Sequence, residues 1–186
     1  MNLVVDQRFA GPPSMGHGGF VAGLFAAGVG GAVQVTLRRP TPLDAPLALD
    51  RHDDGRGELR HGDELIAAAE PAALTLTTPT PPHAVDAAAA EAGSPSHRNG
   101  RGVHPTCFGC GVNREVGDAL RIAAGPIEVD GIAQVAAAWL PGPDGTGGFD
   151  PSGPAAAAVM ATGRPAVSGE EAEDAGARYV GLVTPP

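Results

Sequence analysis

Lysine is absent from this 186-residue chain, and all 12 of its basic residues are arginine. Only Arg38-Arg39 forms an adjacent basic pair, and the formal net charge is −9. Nonspecific binding to a phosphate backbone needs clustered positive charge, so nucleic acid is not expected as a partner. Two cysteines, Cys107 and Cys110, are too few for a disulfide framework. No apolar run approaches the ~20 residues of a membrane span, and Met1 to Gln7 has neither the basic nor the apolar region of a secretory signal. A reducing cytoplasm with no membrane partner is the expectation. Aromatic residues are scarce at 4%, so a core must be assembled from many modest burials.

Glycine and proline are abundant, 28 and 19 residues or about a quarter of the chain. Their placement divides it. Leu3-Val4-Val5 predicts a short strand, followed by a turn over Phe9 to Pro13. Gly18 to Ala27 predicts a helix with Phe20, Val21, Leu24 and Phe25 on one face. Small residues at Ala22, Gly23 and Ala26 permit close approach of a sheet, and Gly28 with Gly30-Gly31 are expected to end the helix. Strict alternation then predicts a strand over Val33 to Leu37, stopped by Pro40 and Pro42. Leu47 and Leu49 suggest the next strand. Gly57 to His61 and Glu64 to Ala69 flank Gly62-Asp63 as a hairpin, and Leu74 to Thr77 gives one more short strand. The sum is an α+β unit with an antiparallel sheet.

Residues 79–103 are Pro-, Ala- and Gly-rich and are expected to form a linker in which Ala84 to Ala92 can be helical. From His104, two paired strands are expected at Leu120-Arg121-Ile122 and Ile132 to Trp139, with Trp139 in a core and Val129-Asp130-Gly131 at the bend. Beyond Leu140 the signal decays. A short helix at Pro154 to Thr162, an acidic solvated face at Glu170 to Asp174 and a last strand within Arg178 to Val183 are the expectations there.

Phe9 to Leu24 (FAGPPSMGHGGFVAGL), followed by VTLRRPTPL at 35–43, resembles the hotdog-fold thioesterase superfamily, and within it the double-hotdog acyl-CoA thioesterase-like proteins. Cys107-Phe108-Gly109-Cys110-Gly111 with Gly117 to Ile122 resembles the opening of a second hotdog. The resemblance implies an antiparallel β-sheet wrapped around one central helix at 1–78, then the linker, then a partial second hotdog at 104–141. Residues 142–186 form an irregular or divergent remainder. Five strands, a helix and their loops do not fit into 141–186, so the second unit is expected to be truncated, its helix missing or reduced to Pro154–Thr162. It also implies an acyl-CoA or related thioester as ligand, with self-association through sheet pairing because a lone unit leaves an open strand edge.

A helix N-terminus offers unpaired amides and partial positive charge to an oxyanion. Under the resemblance His17, Gly18 and Gly19 are the catalytic candidates, and Gly16 and Phe20 the substrate-binding ones. His17 would hydrogen-bond the carbonyl or orient water. The alternative is that His17 and both glycines only shape a tight loop-to-helix transition. No Asp or Glu lies between Gly16 and Gly31. Asp6, Asp44 and Asp63 fit turns or surface, so a catalytic carboxylate is not identified and a non-catalytic acyl-binding or interaction module stays open.

His104-x2-Cys107-x2-Cys110 is three-quarters of a zinc ligand set, completed by His97 only if the linker folds back. The preferred reading is two reduced cysteines in a glycine-rich turn, with no metal and no cofactor. The pair also lacks the βαβ setting of a thioredoxin-like motif. Gly28-Val-Gly-Gly lacks the strand–turn–helix setting of a dinucleotide fingerprint. Ser14 is explained as a helix N-cap or turn residue.

Overall fold

The computed structural model describes residues 1–73, 82–98, 104–115 and 117–137, and the backbone of 178–179. In chain order the elements used below are β1 (Asn2–Val4), α1 (Gly18–Val29), β2 (Val33–Leu37), β3 (Pro46–Arg51), β4 (Gly57–His61), β5 (Glu64–Pro71), α2 (Ala84–Ala92), α3 (Pro95–Arg98), β6 (Gly125–Val129), β7 (Ile132–Ala136) and β8 (Arg178–Tyr179). The chain divides into two compact units. The first comprises Met1–Gln7, Ser14–Leu74 and Pro151–Pro186, and the second Arg8–Pro13 and Thr75–Asp150. The fold is α+β. The expected strand at Leu74–Thr77, the helix at Pro154–Thr162, Trp139 and the acidic run at Glu170–Asp174 lie outside the described residues.

The first unit is an antiparallel sheet in the order β1-β3-β4-β5-β2-β8 with α1 packed on it. Alternation places Leu47 and Leu49 of β3, Gly57 and Leu59 of β4, and Val33 and Val35 of β2 inward. Between β4 and β5 the register slips at Leu59/Arg60: Leu59 faces Ala67 while Arg60 faces Leu65. The extra residue is Ile66, and both Ile66 and Ala67 are buried. The carbonyl of Ile66 accepts the amides of Arg38 and Arg39 at 2.8 and 3.2 Å. Gly62-Asp63 forms the two-residue hairpin loop, with Gly62 at φ 57°.

Two glycines set the helix-to-sheet distance. A Cβ on Gly28 would lie 2.5 Å from Leu49 Cδ1, and one on Gly57 would lie 2.5 Å from Val29 Cγ2. Leu49 therefore enters a notch in the helix and Val29 a notch in the sheet. Gly28 does not end α1, contrary to the sequence expectation; its missing side chain is used for packing. The helix ends two residues later, at Gly30 (φ 87°), the other terminator expected from the sequence, whose amide donates to Ala26 O at 2.9 Å. Phe20, Val21, Phe25, Ala26 and Val29 are all buried, and each large side chain is worth about 1.5–3 kcal/mol of transfer energy. That burial offsets the cost of the four glycines within the helix.

The second unit matches one expectation, the helix at Ala84–Ala92, and corrects another, the strand at Leu120-Arg121-Ile122. Residues 84–98, expected to be a linker, form α2 and α3, and Ala87, Ala90 and Ser94 are buried as α2 packs on β6. Alanine's helix propensity predicted α2 over the same residues. The strand pair is β6 with β7, joined by Asp130-Gly131, both at positive φ. Leu120-Arg121-Ile122 is not a strand, because Arg121 sits at φ 53°, outside extended backbone. Its neighbours bond the cysteine turn instead: Leu120 N donates to Phe108 O at 2.9 Å and Ile122 N to Gly109 O at 2.8 Å.

Candidate functional site

The helix begins at Gly18, and the residue before it, His17, has extended backbone (φ −64°, ψ 120°). Its Nδ1 accepts the amide of Phe20 at 3.3 Å, and its carbonyl accepts the amide of Val21 at 2.9 Å. His17 is thus the N-cap, and of the two roles expected for Ser14, N-cap or turn residue, the structure shows the second. Ser14 is an exposed turn residue at φ 66°. A neutral imidazole that accepts at Nδ1 carries its proton on Nε2. The ring is therefore a hydrogen-bond donor at its far side. Capping takes the third amide of the first turn and leaves those of Gly18 and Gly19, which have no partner within the helix. No acidic side chain lies in that turn to neutralise the positive end of the helix dipole.

The loop leading in is anchored from behind. Gly16 N donates to Thr41 O at 2.9 Å, and both residues are buried. A Cβ on Gly16 would lie 2.9 Å from Val21 Cγ2 and 3.3 Å from Val5 Cγ1. Asp44 N donates to Val5 O at 2.8 Å, while Asp44 Oδ1 accepts Gln7 N at 3.0 Å. The two sequence stretches that carry the family resemblance are thereby joined by one backbone hydrogen bond. Of the five candidate residues, His17 and Gly18 are half-buried, whereas Gly16, Gly19 and Phe20 are buried. Gly16 and Phe20 are packed within the first unit. Asp44 is an exposed turn residue at φ 53° and Asp63 an exposed hairpin residue.

Other chemistry lies in the second unit. Cys107 is buried and Cys110 half-buried, both as free thiols. Their mutual hydrogen bond and burial push the Cys110 thiol far above its ordinary value. The turn is closed by Gly111 N donating to Cys107 O at 2.8 Å and Cys107 N donating to His104 O at 3.0 Å. Phe108 is buried edge-on against Phe9, ring centres 5.0 Å apart at 75°. Sequence reasoning missed the arginine bracket beside it. Arg114 pairs with Asp118 at 2.7 Å and donates to the carbonyls of Arg8 and Asp118 at 2.9 and 3.2 Å. The i,i+4 spacing of Arg114 and Asp118 was its only signal. His97 lies 3.9 Å from Glu91, and among the described residues no three His, Cys, Asp or Glu side chains converge as a metal-ligand group. An open groove of about 700 Å³ runs between α2 and β6, lined in part by His83, Asp86, Glu128 and Asp130; none of Gly16 to Phe20 lines it.

Comparison with family models, with curated proteins and with solved structures finds no match to this chain. No helix among the described residues is long and apolar enough to cross a membrane.

Proposed function

We propose that the first unit is a hotdog-type acyl-thioester site, which binds or hydrolyses an acyl-CoA or related thioester with the carbonyl held at the N-terminus of α1. The observation that carries this reading is the capped helix start: His17 takes the Phe20 amide and leaves those of Gly18 and Gly19 for a ligand oxygen. The packing of a single helix on one antiparallel sheet, preceded by one of its strands and followed by the other five, supports it. Two amides at the positive end of a helix suit the oxyanion of a tetrahedral intermediate. The glycines keep side chains out of the approach. The ligand is a thioester rather than a nucleic acid or a membrane, and a second copy pairs at the β1 edge of the sheet. Two free thiols suit a cytoplasmic setting.

One observation favours a non-catalytic acyl-binding module instead. Hydrolysis needs a base, the 16–31 segment has no carboxylate, and the Nδ1 lone pair of His17 is taken by the Phe20 amide while it caps the helix. Thiol release and equilibrium binding over a panel of acyl-CoAs distinguish the two. Turnover supports the hydrolase, saturable binding without thiol release supports the binding module, and neither signal with any acyl-CoA overturns both.

A further inference from the structure

The second unit holds a pair of thiols that the thioester reading leaves unused. Cys107 and Cys110 are three residues apart in a turn closed by the i→i+4 bond from Gly111 N to Cys107 O, 2.8 Å. In one helical turn, positions i and i+3 share a face with Cβ atoms about 5–6 Å apart. A disulfide needs Cβ atoms about 3.5–4.5 Å apart, so the turn must tighten slightly for the S–S bond to close. The two side chains are in hydrogen-bonding contact. Gly111 holds the turn shut: a Cβ there would lie 2.6 Å from Cys107 N and 2.8 Å from Pro105 O. We infer that Cys107 and Cys110 form a reversible dithiol–disulfide site, oxidised by small-molecule disulfides of the glutathione type.

The half-buried Cys110 is the entry point. At alkaline pH, where its raised pKa lets it ionise, its thiolate attacks one sulfur of the oxidised disulfide RSSR, forming Cys110–S–S–R and releasing RS⁻. The Cys107 thiolate then attacks the Cys110 sulfur, forms the intrachain S–S bond and expels the second RS⁻. The two protons lost by the cysteines finish on two RSH molecules, so the protein loses two electrons and RSSR gains them. Closure rigidifies a turn whose carbonyls at Phe108 and Gly109 hold the Leu120 and Ile122 amides.

The test equilibrates the full native chain with glutathione at graded oxidised-to-reduced ratios, followed by acid quench, maleimide labelling and intact mass. Both thiols are expected to disappear together, with the mass of two hydrogens lost and restored by excess dithiothreitol. Cys107→Ser is expected to accumulate a single glutathione adduct on Cys110. Gly111→Ala, which opens the turn, is expected to need a more oxidising ratio than wild type. Two labelled thiols in the wild type at the most oxidising ratio, or a stable glutathione adduct without ring closure, overturns the inference.

Discussion

The Nδ1 atom of His17 accepts the amide of Phe20, three residues ahead, at 3.3 Å. Removing that cap by His17→Ala is expected to cost about 0.5–2 kcal/mol, read as a lower denaturation midpoint. Asparagine caps as well as any residue, so His17→Asn is expected to recover the stability. If the imidazole also binds the carbonyl through Nε2–H, the Asn variant recovers stability without recovering acyl-CoA binding. Full recovery of both shows that capping is the whole of its role.

Gly18 is half-buried at the start of α1, and the proposed ligand oxygen approaches its amide. Gly18→Leu is expected to abolish thiol release or acyl-CoA binding while leaving the far-ultraviolet dichroism spectrum and the melting temperature near wild type. Undiminished binding counts against the amide cradle.

Two glycine-to-alanine variants separate propensity from packing. Alanine at Gly28 gains about 1 kcal/mol of helix propensity but pushes on Leu49 Cδ1, the flexible end of a buried side chain. Alanine at Gly57 meets Val29 Cγ2, on a β-branched side chain with one favoured helical rotamer, and has no helix propensity to gain. Overpacking of this kind costs about 1–3 kcal/mol. Gly57→Ala is expected to lose more stability than Gly28→Ala in parallel denaturant titrations.

Arg114 is expected to be irreplaceable by lysine. Its guanidinium reaches Asp118 and the carbonyls of Arg8 and Asp118 together, and a single ammonium cannot span them. Both Arg114→Lys and Arg114→Leu are expected to destabilise the second unit by about 1–3 kcal/mol. Faster amide exchange at Phe108, Leu120 and Ile122 is the readout.

Alkaline pH is expected to weaken the fold through Cys110. Its hydrogen bond with Cys107 and its burial raise the thiol pKa above the ordinary 9.0. Above that ordinary value the unfolded chain releases a proton that the folded chain retains, so stability falls as pH rises. At lower pH both states are protonated and the contribution is fully present. Cys110→Ser is expected to flatten the slope of the denaturation midpoint between about pH 8.5 and 10.5.

Most of the first unit was legible because its strands alternate. Val33 to Leu37 and Gly57 to His61 match their observed bounds, and β5 extends two residues past the predicted Ala69. Gly28 misled because glycine after an apolar run marks a helix end only when packing does not need it. The second unit was harder to read, since Leu120-Arg121-Ile122 is apolar and strand-like in pattern while Arg121 takes positive φ. The residues at the helix start were legible as a group, but the capping role of His17 was not. Histidine is a less frequent cap than serine, and Ser14 competed for the assignment.

Leu49 in the notch at Gly28 and Val29 in the notch at Gly57 point in opposite directions, one from sheet to helix and one from helix to sheet. Such a double key prevents α1 from sliding along its axis or turning about it without first lifting away from the sheet. Gly18 lies ten residues from Gly28, about 15 Å along the axis. The C-terminal half of the helix therefore fixes, together with the Gly16–Thr41 anchor at the other end, where the Gly18 and Gly19 amides sit. Small changes at the double key would be felt at those amides as displacement, so substitutions near Gly28 belong among the tuning positions for whatever the helix start holds.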